Sequence, residues 1–252
     1  MTMLAGKRVL ILGGSKGLGL AAAREMLGAG ASVAIAARSA GPLADAAREL
    51  APLGPVETLP CDATIEADVA RAMHRAADAF GGLDTVVVSA GRSMVGDAED
   101  LPHADFLSVL DDNLSPLFLA AKCFPRHCAP EGGSIIAFSS VFGVVGYPRR
   151  VAYSAAKAAM IGMVRSMALD LAPRNIRVNA ISPSLVMTPQ SRAILAAAPD
   201  PEAALAARVA QHPLGRAGTE HEIGSLVAFL ASDGAAWITG QNYIADGGLT
   251  VA

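Results

Sequence analysis

The stretch Arg8-Val9-Leu10-Ile11-Leu12-Gly13-Gly14-Ser15-Lys16-Gly17-Leu18-Gly19 decides how the rest of the chain is read. Residues 8–12 read as a buried strand, and a helical pattern over 17–27 follows the glycines at once. Gly13, Gly17 and Gly19 permit a tight turn and let the backbone come close to a bound group. A helix starting on such a turn offers unpaired N–H groups and a partial positive charge, a seat for a pyrophosphate. Gly13, Ser15, Lys16, Gly17, Leu18 and Gly19 are therefore candidate phosphate-binding residues. Alone, the turn also reads as a tight strand-to-helix connection. Its place at the head of a βαβ unit favours a dinucleotide.

Working outward, short apolar runs predict strands at 32–36, 85–88, 134–138 and 176–180. Between them, helical patterns cover 43–50, 105–124, 151–171 and 220–231. Strands apolar on both faces and separated by helices imply a parallel sheet covered on both sides. The expected fold is a doubly wound, three-layer α/β domain of Rossmann type. No linker, composition break or repeat divides residues 1–252, so a single domain is expected. The least regular region, 184–213, carries Pro189, Pro199, Pro201 and Pro213 around an Ala-rich piece and reads as a substrate flap.

A chain of 252 residues can bury a core without disulfides or metal. With 52% hydrophobic and 17% charged residues, its surface is lean in charge, which predicts burial against copies of itself. A net charge of −3 gives no electrostatic reason to expect nucleic acid or an anionic membrane as partner. No apolar run approaches the ~20 residues needed to span a bilayer. Cys61, Cys123 and Cys128 form no pair of CxxC units, so no metal site is expected. Their odd number, with no charged-then-apolar leader, predicts reduced thiols in a cytoplasmic protein.

The second strand bears on the ribose. An NAD site commonly has an acidic residue at the end of that strand. Here the run is Ala36-Ala37-Arg38, with no carboxylate. Arg38 can pair a 2′-phosphate through its planar fork and Lys16 can add a second charge, which points to NADP(H). Read apart, the two are simply solvated surface cations.

Tyr153 and Lys157 in Tyr153-Ser154-Ala155-Ala156-Lys157 share a helix face one turn apart. A tyrosine ordinarily titrates near ~10, and a neighbouring ammonium is expected to favour the phenolate and bring it into a working range. Ser139-Ser140 follows the strand at 134–138, at the carboxyl edge where open α/β sheets bind ligands. Asn113, a mediocre helix former inside the helix at 105–124, is a candidate to hold a proton-relaying water. Each also has a bland reading: a structural Tyr/Lys pair, a turn-capping serine, a surface asparagine.

Together these features resemble the short-chain dehydrogenases/reductases, of the compact single-domain type, along essentially the whole chain. The family's Gly-x-x-x-Gly-x-Gly falls on Gly13, Gly17 and Gly19, and its Asn, Ser, Tyr and Lys tetrad on Asn113, Ser140, Tyr153 and Lys157. The resemblance implies that Asp62 and Ala63 lie at the adenine, and that Ser89, Ala90 and Gly91 lie beside the cofactor. It further implies that Pro183, Val186 and Thr188 hold the nicotinamide carboxamide, with Tyr153 and Lys157 also touching the cofactor. The chain departs from the pattern at three places: Leu12 for a usual Thr, Val88-Ser89 for a usual Asn-Asn, and Ser184 for a usual Gly. The C-terminal region resembles bacterial 3-oxoacyl-carrier-protein reductases. The resemblance implies an NADP(H)-dependent interconversion of a carbonyl and a secondary alcohol, with Tyr153 as acid/base, in a homotetramer acting on a small molecule. The competing readings are an NAD-dependent alcohol, sugar or steroid dehydrogenase of the same family, a non-catalytic dinucleotide sensor, and a sugar-nucleotide epimerase. Arg149, Arg150 and Arg192 read as solvated charges, and residues 92–101 with the flap as the substrate entrance.

Overall fold

A computed structural model describes residues 2–252. In chain order the elements are β1 (Arg8–Leu12), α1 (Gly17–Gly28), β2 (Ser32–Ala37), α2 (Ala40–Leu50), β3 (Val56–Pro60), α3 (Glu66–Phe80), β4 (Thr85–Val88) and α4 (His103–Cys123). They continue with β5 (Gly133–Phe138), α5 (Val151–Leu171), β6 (Ile176–Pro183), α6 (Pro189–Ala196), α7 (Pro201–Val209), α8 (Glu220–Ala231) and β7 (Asn242–Ala245). All seven strands are parallel, in the order β3-β2-β1-β4-β5-β6-β7.

Alternation along each strand builds the two faces. Leu10 and Leu12 of β1 pack into one apolar layer with Val69 and Met73 of α3, Leu117 of α4 and Val164 of α5. Val9 and Ile11 pack into the other with Met26 of α1, Leu43 of α2 and Val227 of α8. Both layers are buried, which is why the central strands β1, β2 and β4 are largely apolar on both faces. The strand order reverses between β1 and β4, so the connections there leave in opposite directions. The crevice that results at the carboxyl edge is where doubly wound sheets take their ligands.

Three elements lie outside the sequence expectation. β3 is an edge strand whose Glu57 and Thr58 are exposed, so it carries no buried-strand signature. β7 covers the other edge by pairing with β6 and is itself only partly buried. α3 buries Val69, Ala72, Met73 and Ala76. Residues 184–213 contain α6 and α7 rather than one helical piece. Among the described residues, no helix is long and apolar enough to cross a membrane. Nor do they contain a cluster of three or more His, Cys, Asp or Glu placed to hold a metal. All three cysteines are free thiols.

Candidate active site

The crevice is a cleft of about 970 Å³ along the carboxyl edge of the sheet. Its floor is the turn after β1, with Gly13, Ser15, Lys16, Gly17 and Leu18 in the wall. The glycines are there for space. Gly13 has φ +89°, and a Cβ on it would meet the Ala90 backbone nitrogen at 2.5 Å. A Cβ on Gly19 would lie 2.2 Å from the Gly13 carbonyl oxygen. Gly19 therefore packs beneath the turn and does not line the cleft. Helix α1 starts on this turn with no side-chain cap and no acidic residue in its first turn. Its leading N–H groups and dipole are thus uncompensated by the chain itself, which fits an anionic group.

Farther along the edge, Arg38 follows β2, Asp62 and Ala63 follow β3, and Ser89, Ala90 and Gly91 follow β4, all in the wall. The Ser89 and Ala90 N–H groups both donate to the Leu12 carbonyl oxygen, at 2.8 and 2.9 Å. These backbone bonds fix that loop although Ser89 replaces the usual Asn. The Arg38 guanidinium, largely exposed, reaches Asp62 only at 4.0 Å. Asp62 instead accepts from the Thr64 N–H and hydroxyl, at 3.0 and 2.8 Å. Arg38 and Lys16 are thus open to an anion at this end of the cleft.

At the opposite end, Asn113, Tyr153 and Lys157 converge with Val186 and Thr188. Lys157 is buried, and its Nζ donates to the Phe138 carbonyl oxygen at 2.8 Å and contacts Met160 Sδ at 3.4 Å. Burial pulls its pKa from 10.5 down to about 7. Its Nζ lies 5.5 Å from the Tyr153 ring centroid. Burial raises the Tyr153 pKa above 10, more than a hydrogen bond from Ser140 and the Arg150 charge lower it. This reverses the sequence expectation. Desolvation is the largest effect on both groups, so Tyr153 stays a phenol at neutral pH.

Ser140 is buried outside the cleft wall, hydrogen-bonded to Tyr153, and its Oγ accepts from the Phe142 N–H at 3.3 Å. Pro183, the last residue of β6, is buried and also outside the wall. Asn113 is fully buried, and its Nδ2 donates to the Arg92 and Val109 carbonyl oxygens, both at 2.8 Å. Its Oδ1 has no partner. A Cβ placed on Gly91 would stand 2.6 Å from that oxygen and 3.6 Å from Lys157 Nζ, so the two groups share one small space. An orphan acceptor beside the Lys157 nitrogen fits a bound water. Helix α4 lacks one internal bond here, because Pro116 has no N–H to give the Asp112 carbonyl.

Sequence reasoning named Ser139 beside Ser140 without seeing its tie to α5, and missed Gly143. Ser139 lines the cleft, but its Oγ donates to the Lys157 carbonyl oxygen at 2.9 Å, tying β5 to α5. Gly143 lies against α5 so closely that a Cβ would meet the Lys157 carbonyl carbon at 2.6 Å. Both act through contacts distant in sequence, which no local pattern signals. Arg150 is more than a solvated charge, since it donates to Ser93 Oγ at 2.9 Å and ties Ser93 to the start of α5.

A family model described as enoyl-(acyl carrier protein) reductase matches residues 13–250. A solved short-chain type dehydrogenase/reductase from Mycobacterium marinum superposes with a TM-score of 0.89 at 33% identity, covering 99% of this chain and 97% of that one. The chain belongs to the short-chain dehydrogenase/reductase family. Glucose 1-dehydrogenase of Gluconobacter oxydans strain 621H is 37% identical over 254 residues, 98% of this chain and 93% of that protein. A 3-oxoacyl-[acyl-carrier-protein] reductase of Thermotoga maritima is 32% identical over 250 residues, 98% of this chain and 99% of that one. As a short-chain dehydrogenase/reductase, the chain is an oxidoreductase acting between carbonyls and alcohols, and the family uses nicotinamide dinucleotides.

Proposed function

We propose that this enzyme uses NADP(H) to interconvert a ketone and a secondary alcohol, with Tyr153 as the acid/base. The carrying observation is the polarity of the cleft: the cations Lys16 and Arg38 at one end, Asn113, Tyr153 and Lys157 at the other. The residues fit the cofactor. Glycines leave room at the turn, the start of α1 is uncapped, and Asp62, Ala63, Ser89, Ala90 and Gly91 line the path between. When bound, the nicotinamide supplies or takes the hydride at the carbonyl carbon.

The chain's own residues do the rest. Tyr153, hydrogen-bonded to Ser140, orients the substrate oxygen and, as a phenol at neutral pH, donates its proton as negative charge builds there. Lys157 then returns a proton toward Tyr153, and a water on Asn113 Oδ1 restores the lysine. Val186 and Thr188 hold the carboxamide. The excursion 184–213 covers the substrate, and a homotetramer buries the exposed apolar residues of α4 and α5. Turnover of a panel of ketones and hydroxyacyl thioesters with each nicotinamide tests this, and preference for NADPH is expected. Preference for NADH would refute the role of Arg38 and Lys16.

The approach of Arg38 to Asp62, at 4.0 Å, favours one second reading. If that pair tightens, the cation is neutralised and the enzyme is an NAD-dependent dehydrogenase of sugars, steroids or other alcohols. The same kinetics separate the two.

A further inference from the structure

The excursion 184–213 leaves the sheet at Ser184 and ends near His212, and these two residues meet. Ser184 Oγ lies 2.9 Å from His212 Nε2. The other ring nitrogen, Nδ1, lies 2.8 Å from the Arg208 carbonyl oxygen. A carbonyl can only accept, so Nδ1 carries the hydrogen. In the neutral ring Nε2 is then an acceptor, and the Ser184 hydroxyl donates to it. His212 is only 6% exposed. Gly247 lies beside it, where an added Cβ would come only into ordinary contact with the ring, 3.7 Å from its Cδ2.

A serine on a histidine also suggests a nucleophile and its base. That arrangement needs a third group to orient the ring for chemistry, commonly a carboxylate. Here Nδ1 is taken by a backbone carbonyl, while the Asp246 carboxylate accepts from the Gly248 and Thr250 N–H groups at 2.9 and 2.7 Å. The pair is a tie.

What it ties is specific. Residues 183–188 bring Ser184, Val186 and Thr188 into the cleft wall. Farther along, the loop is pinned by backbone bonds: Met187 N–H to the Gly218 oxygen at 3.1 Å and Gly218 N–H to the Leu185 oxygen at 2.9 Å. At Ser184 the backbone has one bond, a 3.2 Å contact from its N–H to the Ala245 oxygen on the edge strand β7. The hydroxyl supplies the missing restraint, and a glycine at this place could not. Because the tie joins both ends of the excursion, α6 and α7 can shift without dragging the first residues of the loop.

We propose that His212 is a positioning residue: through Ser184 it holds residues 183–188 in the conformation that receives the nicotinamide. This rests on the reading of the cleft as a nicotinamide dinucleotide site. The test compares Ser184→Ala, His212→Ala, the double variant and His212→Gln in the full chain, by NADPH fluorescence titration, steady-state kinetics and thermal melting. Each single variant to Ala raises the NADPH Kd and KM roughly five-fold, with kcat changed by less than about two-fold. The double variant is no worse than either single one. His212→Gln, whose amide oxygen can accept near the place of Nε2, recovers most of the loss. Ser184→Ala removes one hydroxyl and melts near the wild-type temperature, so its binding defect is not unfolding. Unchanged affinity in Ser184→Ala, or additive losses in the double variant, overturns the inference while leaving the cofactor reading intact. A wild-type enzyme that binds neither nicotinamide overturns both.

Discussion

Burial brings the Lys157 pKa from 10.5 to about 7 and holds Tyr153 above its usual value, so both groups favour their neutral forms. For Lys157 this has a thermodynamic sign. Between about pH 7 and 10.5 the unfolded chain binds more protons than the folded one, so stability rises with pH through that window. Below about 7 both states are protonated and the burial penalty is fully felt. Lys157→Met should therefore lose turnover yet melt at a higher temperature than the wild type at pH 7, with a flatter pH dependence above it. A lower melting temperature would show that the lysine stabilises the fold. At the far end of the cleft, Arg38→Asp should shift preference toward NADH by one to two orders of magnitude in kcat/KM, roughly the strength of a charge-assisted pair. Tyr153 and Lys157 are legible in the sequence through helix spacing and Arg38 through its strand end, while Asn113 stands out only as a poor helix former inside a helix. The direction of the tyrosine shift is not legible there. It depends on desolvation, which only packing decides.

The turn Val141–Gly143 carries Ser140 at its start and rests on α5 through Gly143. A Cβ there would lie 2.6–2.8 Å from the backbone of Lys157 and Ala158, atoms that cannot move aside. Gly143→Ala should push the turn off the helix, separate Ser140 from Tyr153, cost about 1–3 kcal/mol of stability and lower kcat at least ten-fold. Denaturant unfolding and steady-state kinetics check this together. Central elements are readable from the sequence because β1, β4 and β5 are largely apolar on both faces, and β6 alternates Ile176, Val178 and Ala180 with Arg177 and Asn179. β3 and β7 are not, because an edge strand with exposed Glu57 and Thr58 carries neither a continuous nor an alternating pattern. α3 is a different case: the spacing of Val69, Ala72, Met73 and Ala76 does mark one helix face, though three of the four are small or middling apolar residues in a polar run.

At the scale of the whole molecule, the lean surface charge takes a definite form. Leu107 and Phe118 of α4, Val151 of α5, and Leu169 and the fully exposed Trp237 present apolar side chains to solvent. A chain that leaves this much apolar surface bare is expected to cover it with copies of itself. Sedimentation at micromolar concentration should give a homotetramer, and Phe118→Glu or Trp237→Glu should shift the population to smaller species. A wild-type monomer would contradict this.

The most direct measurement is Tyr153→Phe, assayed for ketone reduction and for NADPH binding in parallel. Removing one hydroxyl from the wall of the cleft should lower kcat by about 10²–10⁴-fold, the usual contribution of a positioned general acid, with NADPH affinity nearly unchanged. Turnover near the wild-type rate would contradict the account.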